Sequence, residues 1–404
     1  MVHYQFATQE QKDLAKTARD ILEKELKPRL EELEEQNAFP RDILKKLAEA
    51  GYFGMGVPER WGGLGLDYVT QSIIYEEMAQ VDAGFSFSFA LASYINNVFY
   101  TGISVAEKQE WVDKTLNGDV VVATALTEPN AGSDTKAIRT TAVYDEKTDE
   151  WVINGTKCFI SNGGIADVVF VSAYIDKSKG AAGIAQFFVE KERGFKVGKT
   201  ENKMGLKLSV TSELIFEDVR VPGTHLVGSV AKYDPEEAAA MDIGKRRGGN
   251  SAILDGLAIA RITTMTHALG IQQAALDEAV KYAKERRTFG KRIIDHQGLG
   301  FLIADMQIDV DASRAMLYYA LEQLDKGLPL GALSSTAKVF ISEATMRVTT
   351  NAVQVLGGYG YMKEYPVEKL MRDAKIFCIF EGTNEINRMI VQRMLAGRDP
   401  KAQK

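Results

Sequence analysis

The alternation of apolar and polar residues divides the chain into three stretches. In the first, up to about residue 118, apolar residues recur at helical spacing. The run ILKKLAEAG at 43–51 ends in a glycine, as helices often do, and Thr8 and Gln11 have the spacing of a capping box. Helical patterning resumes near Tyr68 after a glycine-rich turn. The pattern predicts an N-terminal helical domain over residues 1–118.

The second stretch, residues 119–232, changes to a period near two. Runs such as WVING, DVVFVSAY and SELIFEDV are rich in β-branched and aromatic residues and are separated by turn residues. They predict a middle domain built as an antiparallel sheet or barrel. From 253 to 404 the pattern returns to long helices, one of them over about 301–325, and predicts a four-helix bundle. Residues 233–252 are expected to form an inserted loop, and the fold class is α+β.

Composition narrows the class of protein. The chain has 404 residues, 45% of them hydrophobic, and a formal charge of −6, which argues against binding nucleic acid or a membrane surface. Cys158, Cys378 and four scattered histidines lack the spacing of metal ligands and fit a reducing compartment. The start of the chain has no signal or transit pattern, and no apolar run is long enough to span a bilayer. We expect a cytoplasmic protein, although a processed organellar protein would look the same.

Candidate chemistry begins with Glu381 in the run IFEGTNEINRMI. The acid follows Ile379 and Phe380 and precedes a glycine, so it is either a solvated loop acid or a base in a dry pocket. Taken alone, the run favours the surface interpretation, because glutamate is rarely buried without a partner. The choice between the two depends on the rest of the chain.

Four further runs carry polar groups beside turns. ERRTFGKRIIDHQ, at 285–297, places arginines next to a turn with exposed backbone donors, which suits a phosphate group. QVLGGYGY, at 354–361, lacks the spacing of a Rossmann or P-loop fingerprint. Taken singly, the run TALTEPNAGSD at 124–134 predicts only a polar turn. The run CFISNG at 158–163 predicts only a strand followed by a turn.

The order of these runs is more specific than any one of them. Together with VPERWGGLG and FEDVRVP, they stand in the order found in acyl-CoA dehydrogenases, and the chain resembles that family over nearly its whole length. The resemblance implies an FAD enzyme that dehydrogenates an acyl-CoA substrate and passes electrons to an electron-transferring flavoprotein. It also implies a homotetramer, a dimer of dimers in which each FAD lies across a subunit interface.

The resemblance also implies which residues hold FAD. The flavin end would contact one group on the middle domain: Leu126, Thr127, Ser133, Phe159 and Ser161. The pyrophosphate and adenosine end would contact a second group, from the neighbouring subunit: Arg286, Thr288, Phe289, Gln297, Gln354, Gly357 and Gly358. Thr383 and Glu385 would close the site from their own subunit.

Glu381 matches the catalytic base of the family. A carboxylate desolvated beside Phe380 is a stronger base, as removal of a thioester α-proton requires. The Glu381 backbone N–H and a ribityl hydroxyl would stabilise the developing enolate charge. Some branches of the family carry the base just before the CoA-binding arginine. Here Arg261 matches that arginine and Ala260 precedes it, so Glu381 remains the only candidate at these two positions.

The run GFSFSFALASYINN indicates what size and shape of acyl group the protein would accept. Helical spacing places Phe85 and Phe89 on one side, with Phe87 away from them, and the two rings would line a pocket for a short, branched, cyclic or aromatic acyl group. Plain core packing would give the same stripe. Relatives that act on glutaryl-CoA have an arginine at the position of Ser86, so the serine argues against a dicarboxyl substrate bound in that way.

Two points stay open, the reaction and the role of the inserted region. An acyl-CoA oxidase or an enoyl-CoA reductase would keep the same motifs, whereas a non-catalytic acyl-CoA-binding protein would have no need of Glu381. The inserted region is longer than in most relatives, and its cations Lys245, Arg246 and Arg247 either meet the CoA phosphates or form a solvated loop.

Overall fold

Helices form the first part of the chain, as the sequence predicts. The computed structural model describes residues 7–240 and 250–397. The N-terminal helices are α1 (Gln9–Glu25), α2 (Leu30–Gln36), α3 (Arg41–Glu49), α4 (Tyr68–Val81), α5 (Ala83–Ala92) and α6 (Val105–Leu116). Thr8 and Gln11 form the predicted capping box at the start of α1. Gly51, with φ of 85°, follows α3 in the left-handed conformation that a glycine adopts without strain.

A sheet of seven strands forms the middle of the chain. The strands are β1 (Val122–Ala125), β2 (Thr141–Asp145), β3 (Glu150–Ser161), β4 (Val168–Tyr174), β5 (Ile184–Glu190), β6 (Lys196–Thr200) and β7 (Thr211–Pro222). Their order is β1-β4-β2-β3-β7-β6, with β5 paired to β4. Most pairs are antiparallel as expected, but β4 runs parallel to β1 and to β2. Alternating hydrophobicity reports which face of a strand is buried and not the direction of its neighbour, so the parallel pairs had no sequence signal.

Long helices return in the last part of the chain. They are α7 (Val230–Tyr233), α8 (Pro235–Ala240), α9 (Asn250–Glu285), α10 (Gln297–Asp325), α11 (Leu333–Leu356), α12 (Val367–Ala374) and α13 (Asn384–Leu395). Helices α9, α10 and α11 pack on one another, and α13 packs on α11. A two-stranded hairpin, β8 (Arg287–Thr288) and β9 (Lys291–Arg292), separates α9 from α10. None of the helices within the described ranges is both long and apolar enough for a transmembrane segment.

The predicted insertion is partly helical. Its first residues end α7 and form α8, and Glu237 of α8 pairs with Arg60 of the N-terminal domain at 3.1 Å. Lys245, Arg246 and Arg247 lie outside the described residues, so their predicted contact with CoA phosphates remains a prediction.

The two helical parts of the chain share one hydrophobic core. Helix α4 packs on α9, and a single cluster of buried apolar side chains runs from Phe53 and Ile73 to Leu269 and Ile341. The sheet has a separate core around Phe187 and Phe216. Side chains at the junction of the helical core and the sheet therefore stand on elements that each have a packed core behind them.

Lys369 of α12 links three of these elements. Its ammonium group lies 2.6 Å from carboxylate oxygens of both Asp82 and Asp373. Asp82 caps α5 by accepting from the Phe85 N–H, and Asp373 accepts from the Leu206 N–H, each at 2.6 Å. One partly buried cation thus fixes α5 against α12 and against the segment that leads into β7.

Replacing Lys369 with methionine should destabilise the fold. The change leaves the Asp82 and Asp373 carboxylates buried without the ammonium group that they share, and breaking a buried pair in this way costs about 3–5 kcal/mol. The measurement is the denaturant midpoint of the variant. The control is Lys196→Met, which removes an exposed pair with Glu217 and should change stability by less than about 1 kcal/mol. Equal effects of the two changes would contradict this account of Lys369.

Candidate active site

Glu381 stands at a sharp turn just before α13. Its backbone is left-handed, with φ of 54°, and Gly382 follows with φ of 81°. Such a conformation is strained for glutamate and persists only when its surroundings hold it. Asn387, fully buried, donates from Nδ2 to the carbonyls of Gly382 at 2.8 Å and Thr383 at 3.0 Å. The Thr383 hydroxyl accepts from the Ile386 N–H and caps α13. The turn is therefore a fixed one.

Arg261 of α9 holds the same turn from the other side. Its Nε donates to the Glu381 backbone carbonyl at 3.1 Å and not to the side chain. Within residues 7–240 and 250–397, no donor forms a hydrogen bond or ion pair with the Glu381 carboxyl group. A cation is thus near the acid without neutralising it.

The surroundings make this carboxyl a stronger base than an ordinary glutamate. Burial raises the pKa of Glu381, and the positive charges of Arg261 and Lys338 offset part of the rise. Lys338 lies buried on α11, where its Nζ donates to Asn384 Oδ1 at 2.7 Å. Burial also lowers the pKa of Lys338, to about 8. Sequence analysis selected neither residue: Lys338 lies outside the runs with recognisable chemistry, and Asn384 lies in the run of Glu381 but has no recognisable role of its own.

Three phenylalanines form a wall beside the acid. The Phe380 ring lies 5.2 Å from that of Phe87 on α5 and 5.1 Å from that of Phe377, between ring centroids. Both Phe87 and Phe377 are buried, and Phe380 is half-buried. The three rings form an apolar surface that includes Phe380, the residue before Glu381.

Phe85 and Phe89, which were expected to line the acyl pocket, pack into the helical core. Phe85 stacks on Phe39 at 5.7 Å, and Phe89 meets Phe53 edge-on at 5.0 Å. The ring that reaches Phe380 is that of Phe87, the one expected to point away. Helix α5 is buried all round from Ala83 to Phe89, so its apolar pattern could not select the face that turns toward the acid.

The middle domain brings together the residues expected at the flavin end. Leu126 and Thr127 follow β1, and Thr127 accepts from the Cys158 N–H at 3.0 Å, next to Phe159. Phe159 is 65% exposed and has φ of 58°, so its ring stands out from the end of β3. Ser161 is half-buried two residues later, and Ser133 is exposed on the loop after β1.

Two buried side chains, those of Lys157 and Asn162, hold the ends of β1 and β3 in place. Lys157 donates from Nζ to the Leu126 carbonyl at 3.0 Å and pairs with Glu128 at 2.8 Å. Asn162, which follows Ser161, donates from Nδ2 to the Ser88 carbonyl at 2.9 Å. The Asn162 bond ties the end of β3 to α5, the helix that carries Phe87.

A cavity of about 610 Å³ gathers most residues of the expected adenosine end. It lies between α9, the β8–β9 hairpin and the end of α11, and its lining includes Arg286, Thr288, Phe289, Gly357 and Gly358. Gln297 begins α10 and Gln354 lies one turn before Gly357, both exposed and outside the lining. Thr383 and Glu385 stand at the start of α13, apart from this cavity.

The chemistry of the cavity fits the nucleotide half of FAD. Arg286 supplies a cation for a pyrophosphate, while Tyr282 and Tyr359, which the sequence reasoning did not select, supply aromatic surface for a purine. At Gly357 and Gly358 a side-chain carbon would meet nothing within 4 Å, so a bound group has room there. Phe289 is 97% exposed at the hairpin tip.

Comparison with known proteins identifies the family. Family models for the acyl-CoA dehydrogenase N-terminal, middle and C-terminal domains match residues 8–119, 123–219 and 247–396. An acyl-CoA dehydrogenase of Bacillus subtilis is 39% identical over 96% of this chain and 99% of its own length. The CarC subunit of the caffeyl-CoA reductase–Etf complex of Acetobacterium woodii is 38% identical over 96% of this chain and 99% of its own.

A solved structure agrees with the sequence relatives. Butyryl-CoA dehydrogenase from Megasphaera elsdenii superposes with a TM-score of 0.86 at 36% identity, over 96% of this chain and 99% of that one. The three domains and the site thus define a flavoprotein oxidoreductase. The chain belongs to the acyl-CoA dehydrogenase family, whose members depend on FAD, and the predictions of family, fold class, enzyme class and cofactor are confirmed.

The electrostatics of Glu381 predict a shift in the pH dependence of Lys338→Met. A base acts when deprotonated, so activity should rise with pH through the raised pKa of Glu381. Removing the Lys338 charge takes away one influence that lowers this pKa, so the acidic limb of kcat/KM should move to higher pH. The profiles should be compared below pH 8, where the Lys338 amine is protonated. Lys338→Arg keeps the charge and is the control. A limb that stays in place in Lys338→Met would show that this cation does not act on the base.

Proposed function

We propose that the protein catalyses α,β-dehydrogenation of an acyl-CoA thioester with a short, branched, cyclic or aromatic acyl group. Glu381 removes the α-proton. The observation that carries the proposal is a desolvated carboxyl with a raised pKa and no hydrogen-bonding partner among the described residues, on the residue that follows Phe380 in the chain. A structural acid would be paired or exposed, and this one is neither.

The residues of the turn explain how the proton is removed. Arg261 and Asn387 fix the turn, so the carboxyl stands in one position relative to the bound thioester. The Glu381 N–H is free to donate to the thioester oxygen, because it bonds to none of the described backbone carbonyls. That bond would strengthen as negative charge develops on the oxygen. Bound FAD supplies the acceptor for the β-hydride.

The partners follow from the same proposal. CarC is named as a subunit of a complex with an Etf, and on this basis we expect an electron-transferring flavoprotein to take the electrons here. The exposed Phe289 ring beside the nucleotide cavity supports an FAD site shared between two subunits of a homotetramer. The second subunit would complete the site with the residues expected at the adenosine end: Arg286, Thr288, Phe289, Gln297, Gln354, Gly357 and Gly358. A cytoplasmic location remains part of the proposal.

An enoyl-CoA reductase is the second candidate. The same groups serve the reverse reaction, and the name of CarC, a caffeyl-CoA reductase relative, favours considering it. The two directions, acyl-CoA oxidation and enoyl-CoA reduction, are distinguished by measuring turnover with an enoyl-CoA and reduced electron-transferring flavoprotein. A reductase would turn over faster in this assay than in acyl-CoA oxidation at the same enzyme concentration.

Glu381→Gln should separate binding from chemistry. Glutamine keeps nearly the same volume and the backbone N–H, so FAD content and thioester affinity should persist, but it cannot accept a proton. Loss of a positioned base costs about 10²–10⁴-fold, and we expect the upper end because Ala260, at the other position that carries the base in the family, cannot accept a proton. The measurement is the rate of anaerobic flavin bleaching by a panel of acyl-CoAs. Glu192→Gln, at an exposed turn of the middle domain, is the matched control. Bleaching of Glu381→Gln within about tenfold of the wild-type rate would remove Glu381 from the role of base.

Phe87→Ala should change which acyl groups are accepted. Removing the ring that packs on Phe380 opens space beside the acid, so longer or bulkier thioesters should gain kcat/KM relative to the best natural substrate. The gain should be roughly tenfold, the usual effect of one or two methylene groups in an apolar pocket. Phe89→Ala removes the same atoms from the core and should lower stability with no change in substrate ranking. An unchanged ranking in Phe87→Ala would place the acyl pocket elsewhere.

A further inference from the structure

A buried ion pair at the expected flavin end has no part in the proposed mechanism. The Lys157 side chain is fully buried, and its Nζ lies 2.8 Å from a carboxylate oxygen of Glu128, which is 5% exposed. The same Nζ donates to the Leu126 carbonyl at 3.0 Å. A buried ion pair adds little net stability, because the desolvation of two charges offsets their attraction. Stability alone is therefore a weak explanation for this pair.

The Glu128 carboxylate fixes the position of the ammonium group. Besides binding Lys157, it accepts from the Arg139 N–H at 2.6 Å and from the N–H and hydroxyl of Thr140 at 3.0 and 2.5 Å. Burial acts to raise the pKa of Glu128, but these bonds outweigh burial and lower the pKa. The acid is therefore charged at neutral pH, and it holds the ammonium group against the Leu126 carbonyl.

The peptide group that binds this cation ends in an unpaired donor. A carbonyl and the N–H of the next residue belong to one planar peptide group, so the Leu126 carbonyl is conjugated with the Thr127 N–H. None of the backbone carbonyls in the described part of the chain accepts from the N–H of Leu126 or of Thr127. The Thr127 carbonyl, in contrast, accepts from the Cys158 N–H at 3.0 Å. Leu126 and Thr127 are half-buried, so a ligand at this edge can accept from both donors.

We propose that Lys157 sets the reduction potential of the bound flavin through the Leu126–Thr127 peptide group. The inference rests on the proposed placement of the flavin pyrimidine edge at these two residues. An ammonium group that binds a carbonyl draws electron density from the peptide and makes its N–H a stronger donor. The flavin gains negative charge on reduction, so a stronger donor at this edge stabilises the reduced form more than the oxidised form. Lys157 is thus a positioning residue for the hydride transfer.

The reduction potentials of two variant holoenzymes test the proposal. Lys157→Met removes the cation and leaves the Glu128 charge, so the potential should fall. We expect a roughly tenfold loss of preference for reduced over oxidised flavin, the effect of one hydrogen bond, which is about 30 mV for a two-electron couple. Glu128→Gln removes the anion and keeps the cation, so the potential should rise. Any other pattern, including an unchanged potential in either variant, would overturn the proposal, because a merely structural pair gives no such opposite shifts.

The controls separate charge from damage to the fold. Lys196→Met removes an exposed lysine of the same sheet, paired with Glu217, and should leave the potential unchanged. Burial lowers the pKa of Lys157 and Glu128 offsets part of this change, so all potentials are measured at the lowest pH at which the holoenzymes keep their flavin. FAD content and melting temperature show whether each variant is folded. The rise expected for Glu128→Gln tests the proposal by itself if Lys157→Met does not retain FAD.

A crystal structure of the wild-type holoenzyme separates this inference from the placement of the flavin. We expect a pyrimidine oxygen or nitrogen of the flavin within hydrogen-bonding distance of the Thr127 N–H. A flavin bound elsewhere would end both the placement and the inference. A flavin at Thr127 combined with unshifted potentials would leave the placement standing and remove the role of Lys157. The potentials are measured against a reference dye without any thioester, so they do not depend on whether Glu381 is the base.

Discussion

A carboxyl group that removes a weakly acidic proton has to be out of water and yet keep its charge available. Around Glu381 this is achieved by giving each nearby cation another acceptor. Arg261 binds the Glu381 backbone carbonyl, and Lys338 binds the side-chain oxygen of Asn384. Both charges still lower the pKa of the acid through space, against the larger effect of burial. A direct ion pair with either would make the carboxylate a weaker base.

This arrangement depends on rigid supports, because each cation has to stay with its own acceptor and not pair with the carboxylate. Arg261 and Lys338 come from α9 and α11, which pack along each other in the core shared by the two helical parts of the chain. Asn387 holds the left-handed turn, and Lys369 fixes α5 and its Phe87 ring. Arg261, Lys338 and Lys369 each join elements distant in sequence, whereas Asn387 acts within its own turn. The polar network therefore determines where α9, α11, α12 and α13 meet the acid.

The sequence was sufficient where one residue type is required by one chemical task. Glu381 and the turns proposed to bind the nucleotide belong to runs that keep their order along the chain and identify the family, and the three domains follow from a change of hydrophobic period. It was insufficient where several residues satisfy the same pattern. Helix α5 is apolar on every side, so Phe87 could not be distinguished from Phe85 and Phe89. Lys157 and Lys338 are buried lysines, and their importance comes only from neighbours distant in sequence, Glu128 and Asn384.

The same low-polarity surroundings act on Glu381 and His267 in opposite senses. Burial penalises the charged form of each group, so it raises the pKa of the carboxyl and lowers that of the imidazole. For Glu381 the result is an acid that holds a proton more tightly once it has taken it. For His267 the result is a ring that stays neutral and keeps a lone pair. The two groups lie in one apolar neighbourhood, because the Phe87 ring contacts both the imidazole of His267 and the ring of Phe380, the residue before Glu381.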